Sequence, residues 1–406
     1  KDRAGLKAVR EEFLTNAKNV PGMNVYNWGT SMNFTPMEAS GVLPVKNYTT
    51  NIFPETAPFM GENYRNRYEK KLNPCWACQM HHCHIMKIPD GPYAGYVGEE
   101  PEYEQWANWG PVIGNTNVDL AFILANDVDR LGMETNEAGW VVAFAMECFQ
   151  KGIIGGRDTG GLELTWGNGE AARALLRKIA NREGIGDLLA EGTMRASQKL
   201  GKAASEIGIY TKKGNAPRGH DHRTRWFEMF DTSVSSTSSI ETFVIYSQPQ
   251  DFGITNPVGQ FDPEGIATYC AKSKGSMQFE DSLGVCRFTV RTDIPRLARA
   301  LNAATGWDFT FQEAMDVGLR AVNLMRAYNL RCGIGKELDV PSTRYSSVPT
   351  DGPSKGRDIK PHWEGMVRLH HRLMGWDEET GKPMPETLKA LGLEHVVKDV
   401  WPEAKA

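Results

Sequence analysis

Cysteine is the scarce residue that most constrains this chain. Three of them crowd one short stretch, Cys75-Trp76-Ala77-Cys78-Gln79-Met80-His81-His82-Cys83. A fourth closes a segment far downstream, Asp281-Ser282-Leu283-Gly284-Val285-Cys286. Three thiolates from one loop and one from a distant segment commonly hold a cubane iron–sulfur cluster. Four sulfurs gathered in that way tie two stretches of chain to one point, and the pattern predicts an electron-transfer site.

Zinc is the competing metal, because thiolate sulfur suits both. A structural zinc site usually shows a second Cys-x2-Cys or paired histidines after the first pair. His81, His82 and His84 keep a Cys/His zinc site formally open. No second knuckle lies between residues 84 and 281, and that favours the cluster. Cys148 and Cys270 sit in apolar helical patterns and read as buried free thiols, while Cys332 falls at a helix end. Seven cysteines in 406 residues are too few, and odd in number, for a disulfide scaffold. A reducing compartment, the cytoplasm, is the expectation.

The remaining composition excludes more than it selects. A hydrophobic share of 40% and a charged share of 24% are ordinary for globular domains. Lys plus Arg number 46 against 50 for Asp plus Glu, a net charge of −4 that calls for neither nucleic acid nor an acidic membrane surface. No stretch reaches the roughly 18 apolar residues of a spanning helix. The chain opens at Lys1 directly into a helical pattern, which suggests a piece of a longer polypeptide or one of several subunits.

Periodicity predicts a mainly helical chain. A first helical face runs from Ala4 to Ala17 and gives way at Pro21-Gly22 to irregular structure leading into the cysteine loop. Helices are then expected over Asn117–Leu131, Glu137–Lys151 with Asn136 as N-cap, Asn168–Asn181, Gly186–Leu200, Phe261–Cys270, Ile294–Ala303, Phe311–Cys332, His362–Trp376 and Pro385–Leu391. The run Thr232 to Thr242 reads as an ordered polar loop or pocket lining. Two domains follow, 1–208 with the cysteine loop and 209–406 with Cys286.

These residues resemble a family, the tungsten-containing aldehyde ferredoxin oxidoreductases. Pro101-Glu102-Tyr103-Glu104 is similar to its Pro-Glu-Tyr-Glu segment. Asp129-Arg130-Leu131-Gly132-Met133-Glu134 is similar to its first pterin-binding motif, Asp-x-x-Gly-Leu-Asp, and Asp281 to Cys286 to the second, Asp-x-x-Gly-Leu-Cys. Pro44-Val45-Lys46-Asn47-Tyr48, Phe144-Ala145-Met146-Glu147, Gly306-Trp307-Asp308-Phe309-Thr310 and Gly375-Trp376 extend the resemblance over nearly the whole chain. It implies two largely helical domains, with the family's N-terminal β-rich pterin domain outside this chain. It also implies tungsten (or molybdenum) held by two pterins beside a 4Fe-4S cluster. Asp129, Gly132, Met133, Glu134, Asp281, Gly284, Val285 and Cys286 would grip the pterins. Cys75, Cys78, Cys83 and Cys286 would ligate the cluster. Carboxylates suit the N–H-rich pterin edge because charge-assisted hydrogen bonds are short and strong. Asp129 late in a helix is unfavourable against the macrodipole, which favours a ligand role over a solvated one.

Four departures from the family pattern bear on function. The third cysteine comes one residue late, with His82 in its expected place; Cys83 is preferred as ligand because all-thiolate clusters are far commoner. Glu134 replaces an aspartate. The histidine that aldehyde-oxidising members carry after a Pro-Arg-Gly segment would follow Pro217-Arg218-Gly219 at a position within Thr232 to Ile240, and that stretch contains no histidine. His220 and His222 lie nearer, and a solvated charged loop with Asp221, Arg223 and Arg225 is an equal reading of them. Ile123 and Asn126 stand where some members ligate a subunit-bridging iron, so no such iron is expected.

The resemblance makes Glu104 the acid/base candidate, against a solvated acidic turn of Glu99, Glu100, Glu102 and Glu104. The expected function is oxidation of an aldehyde or reduction of a carboxylate, with electrons passing to ferredoxin or an iron–sulfur partner subunit in an oligomer. An aryl-CoA reductase of the benzoyl-CoA type, and a cluster-bearing electron-transfer subunit without catalytic metal, are the alternatives.

Overall fold

The computed structural model describes residues 1–19, 25–237, 239–242 and 248–403. The breakpoint expected at Pro21-Gly22 and residue 238 of the Ser/Thr run lie outside them. The described chain is mainly helical, with a single three-stranded antiparallel sheet among its described residues. It divides into two compact units, one of residues 21–225 with 341–358, the other of residues 1–20, 226–340 and 359–406. The division thus falls at 225/226 rather than 208/209. The first helix belongs with the later unit because its apolar face is completed there.

In the unit of residues 21–225, strands β1 (Glu69–Leu72), β2 (His84–Lys87) and β3 (Val97–Glu99) lie in that order. Leu72 pairs with His84 and Glu69 with Lys87, so β1 and β2 form a hairpin whose connection is the cysteine loop. Pairing of Ile85 with Glu99 adds β3 on the other side. The stretch leading into the cysteine loop, expected to be irregular, therefore ends in a strand. Gly98 sits on the side chain of Asn126, where a Cβ would lie 2.4 Å from Oδ1. The Asn126 amide bonds both the N–H and the C=O of Glu99.

Behind the sheet, helices Tyr103–Trp109, Val118–Arg130 and Thr135–Gln150 make the core. Trp106 is fully buried against Tyr64, Phe59 and Phe122. Each such aromatic contributes about 1.5–3 kcal/mol by leaving water. Thr135–Gln150 starts one residue before the expected cap, because Gly132 ends the preceding helix at φ +69° and Glu134 then turns extended. Its carboxylate accepts from Asn136 N and Glu137 N at 3.0 and 2.6 Å. The helix expected over Gly186–Leu200 is two, Ile185–Leu189 and Gly192–Leu200, parted at Gly192 (φ +83°).

In the other unit, Arg3–Lys18 places Val9 and Phe13 into a core with Phe279, Ile294, Leu297 and Met315. Helices Trp226–Val234, Pro263–Ser273, Ser276–Ser282, Ile294–Thr305, Phe311–Arg331 and Trp363–Leu373 build the rest. Thr232, Ser233 and Val234 are helical and buried, not loop, because Phe230 and Val234 anchor that face in the core. No helix among the described residues is long and apolar enough to cross a membrane.

Candidate metal centre

The β1–β2 hairpin closes its loop with a hydrogen bond from Asn73 N to Cys83 O (2.9 Å). Within it Cys78 N bonds Cys75 O at 3.0 Å, and Ala77 and His81 take positive φ (57° and 50°). Left-handed conformations at non-glycine residues cost of order 1–3 kcal/mol and persist where surroundings fix them. Three thiols are thereby carried on one tightly bent loop, Cys75 exposed, Cys78 and Cys83 half-buried. Burial, followed by the charges of Glu102 and Cys75, pushes the Cys83 thiol up to about 12. A bound metal reverses this logic, since coordinating thiols deprotonate outright. Three soft thiol donors on one loop are the donor set that suits a soft cation or an iron–sulfur cluster.

The loop is held from beneath by ions that look like surface residues in the sequence. Arg65 and Glu100 pair with side chains only 2% and 4% exposed. Arg65 Nε reaches Glu100 Oε1 at 2.6 Å and its NH2 reaches Oε2 at 2.8 Å. The same guanidinium donates to the carbonyls of Asn27 and His82. His84 Nδ1 and Tyr64 Oη complete the Glu100 shell at 2.8 and 2.9 Å. Glu100 thus leaves the solvated acidic turn expected for it. Arg65 had no signal in the sequence beyond its position ahead of the loop.

Glu102 caps the Tyr103–Trp109 helix in a reciprocal capping box with Gln105. Thr30 Oγ1 donates to it at 2.5 Å, and His82 Nε2 lies 3.3 Å away. Burial raises its carboxyl, but the His82 and Thr30 hydrogen bonds outweigh that and hold it below the usual range. Glu104 follows in the first turn, with Arg218 NH1 at 3.7 Å. Gly219 packs on this helix, where a Cβ would stand 3.2 Å from Glu104 O. The fold therefore brings the Pro-Arg-Gly segment against Glu104.

Asp129 lies one helix away, its Oδ2 accepting from Gln105 Nε2 at 3.0 Å. It is exposed at the end of Val118–Arg130, with Gly132 exposed and Met133 half-buried in the turn that follows. Glu134 spends its carboxylate on capping rather than standing free. The second motif, in the other unit, has the same backbone. Asp281 O accepts from Gly284 N (3.0 Å) as Asp129 O does from Gly132 N (3.1 Å). The glycines share positive φ, 63° and 69°. Cys286 then stands as N-cap at φ −83°, ψ 123°, matching Glu134 at −73°, 124°. Among the described residues nothing lies within 4 Å of a Cβ built on either glycine, so both turns present open backbone to which a flat ring can approach. Asp281 is paired with Arg287 at 2.8 Å, and Val285 and Cys286 are exposed.

The segment after Gly219 is not a solvated loop. His220, Asp221, His222 and Arg223 are all buried. Arg223 grips Asp221 through Nε (2.9 Å) and NH2 (2.6 Å), and His222 Nδ1 meets Tyr345 Oη at 2.5 Å. Tyr48 Oη donates to His220 O at 2.6 Å. Cys148 and Cys270 are buried, as their apolar settings implied. Cys270 Sγ lies 3.0 Å from Asp231 Oδ1.

The family model for aldehyde ferredoxin oxidoreductase, domains 2 and 3, matches residues 6–393. The chain belongs to this family. A tungsten-containing aldehyde ferredoxin oxidoreductase of Pyrococcus furiosus is 30% identical over 409 residues, covering 97% of this chain and 64% of the relative. The aliphatic sulfonate oxidoreductase, WOR-like subunit, of the same organism is 28% identical, covering 98% of this chain and 62% of that protein. The chain thus spans somewhat under two thirds of these relatives. Among solved structures, the active-site complex BamBC of benzoyl coenzyme A reductase with 1,5-dienoyl-CoA matches with a TM-score of 0.74. That match covers all of this chain and 67% of the other at 19% identity, a likeness of fold. The aldehyde ferredoxin oxidoreductase domains 2 and 3 are accordingly the helical domains read from the sequence.

Proposed function

We propose that this chain is the cluster-bearing and pterin-gripping part of a tungsten (or molybdenum) oxidoreductase acting on an aldehyde or carboxylate. The observation that carries the reading is the hairpin loop with Cys75, Cys78 and Cys83, in one unit with Glu104 and an Asp-x-x-Gly turn. The same turn recurs at Asp281–Cys286. Cys286 is taken as fourth cluster ligand from the family resemblance. When bound, the pterin metal supplies a two-electron redox centre and the cluster a one-electron relay.

The residues of this chain have separable tasks. Asp129 and Asp281 accept hydrogen bonds from a pterin edge, while Gly132 and Gly284, with Met133 and Val285 beside them, offer backbone and apolar surface to the ring. Oxidation of an aldehyde, RCHO + H2O → RCOOH + 2H+ + 2e−, requires proton acceptors as two electrons leave. Glu104 is assigned as one acceptor, positioned by its helix and by Arg218. A cluster held by Cys75, Cys78, Cys83 and Cys286 would supply the relay to ferredoxin or an iron–sulfur partner subunit.

Metal analysis of the anaerobically purified complete protein tests this directly. About one tungsten or molybdenum and four irons per chain are expected. Iron alone would instead support an electron-transfer subunit, and zinc alone would remove the cluster. Glu104→Gln is expected to keep both metals and lower kcat by about 10²–10⁴-fold, the usual contribution of a positioned acid or base. A benzoyl-CoA-type reduction is favoured by the lack of a histidine in Thr232 to Ile240. It is opposed by the lack of any cysteine between Cys83 and Cys148. Aldehydes and aryl-CoA thioesters assayed side by side decide between the two.

A further inference from the structure

The extra residue before Cys83 sets this chain apart from its family, and the structure shows what that residue meets. His82 is buried under the loop, its Nε2 3.5 Å from Cys83 Sγ and 3.3 Å from Glu102 Oε1. Sγ and Oε1 are themselves 3.7 Å apart, so nitrogen, sulfur and oxygen form a closed triangle. None of the three corners swings freely. Arg65 holds the His82 carbonyl, Thr30 and the capping box hold Glu102, and the hairpin fixes Cys83.

We propose that His82 is a hydrogen-bond donor to the Cys83 sulfur, not a cluster ligand, and that by bridging Cys83 and Glu102 it raises the reduction potential of the cluster. The inference rests on the cluster reading above. A protonated Cys83 can donate to Glu102. Bound to iron it has no proton left, and a thiolate then faces a carboxylate across 3.7 Å. An imidazole with its proton on Nε2 places one donor between the two acceptors. Hydrogen bonds to cluster sulfurs and net local charge are among the factors that set such potentials. Adding an electron beside Glu102 is opposed by the carboxylate and eased by the His82 donor. The two side chains should therefore shift the potential in opposite directions, which a purely structural role for either would not produce.

The test is a redox titration of the anaerobic holoprotein with dithionite, which delivers one electron to the cluster, followed by electron paramagnetic resonance. His82→Phe keeps the ring volume and removes the donor. It should disfavour reduction about tenfold, which for a one-electron couple is about 59 mV more negative. Glu102→Gln retains the cap and should shift the midpoint upward by a similar amount. His82→Gln retains an N–H and should stay near wild type. An iron-loaded His82→Phe protein whose midpoint is unmoved or higher overturns the proposal. So does a three-iron signal that appears in His82→Phe but not in Cys83→Ala, since His82 would then be the ligand. Should His82→Phe take up no iron, Glu102→Gln decides, and an unshifted or lowered midpoint refutes the bridge. A wild-type protein without iron refutes the cluster reading itself, a different failure from loaded protein with unmoved potentials.

Discussion

Arg65 shows how much of the candidate site depends on a single buried ion. Its guanidinium neutralises Glu100 and binds the carbonyls of Asn27 and of His82 in the cysteine loop, with both side chains almost wholly out of water. Breaking a buried pair by removing one partner costs about 3–5 kcal/mol, because the remaining charge is stranded. Arg65→Met should therefore lower stability by that order in urea unfolding, and a loss below about 1 kcal/mol would mean that the pair is not buried in solution. Neither Arg65 nor Glu100 was legible as a structural ion. Charged residues near turns read as solvated, and only tertiary packing reveals otherwise. The same blindness affected Asp221 and Arg223, which form a buried bidentate pair inside what looked like a hydrated loop. The cysteines were legible because thiol scarcity and spacing carry information that charge does not.

Among the elements, the Trp363–Leu373 helix holds an unusual burial. His370 and His371 are both fully enclosed, and neither ring of His370 nor of His371 has a hydrogen-bond partner among the described residues. Phe230 and Trp376 flank the His370 ring at 5.7 and 5.8 Å, so it packs as an aromatic hydrocarbon would. Burial first, then the nearby charges of Lys274, His371 and Arg326, hold its pKa well below the ordinary histidine value, with Asp339 opposing. The unfolded chain therefore binds a proton near pH 6.5 that the folded chain refuses. Stability should be intact above about pH 7 and fall as pH drops below about 6.5, by up to about 1.4 kcal/mol per pH unit for this one group. His370→Phe should remove that share of the slope between pH 7 and 5, with little cost at neutral pH. A variant as acid-sensitive as wild type would show that His370 is not the group titrating. The helix itself was read from its period. The β1–β2 hairpin was not, since Glu69-Lys70-Lys71-Leu72 is polar and exposed, with no alternation to detect. Helical Thr232 and Ser233 were likewise hidden, because their weak propensity is overridden by packing around Phe230 and Val234.

For the molecule as a whole, chain order and spatial order part company. The two Asp-x-x-Gly turns were legible as motifs, and their near-identical backbones follow from a glycine that alone takes φ near +65° cheaply in both. The membership of the first helix was not legible. Its apolar stripe announces burial but not against what, so from sequence the first helix was grouped with residues 1–208. In the structure Phe13 joins the core formed by Tyr269, Phe279, Ile294 and Leu297, and Glu12 pairs with Arg296 and Arg299 at 3.2 and 2.9 Å. The ion pairs are largely exposed, worth little, and do not decide the packing. Phe13 does, because truncating a core phenylalanine costs about 3–5 kcal/mol in transfer and cavity terms together. Phe13→Ala should therefore destabilise the later unit by that order. Amide exchange should quicken in Ile294–Thr305, the helix against which Arg3–Lys18 packs, well before Glu12→Gln has any comparable effect. Equal exchange in that helix for wild type and Phe13→Ala would place the first helix outside this core.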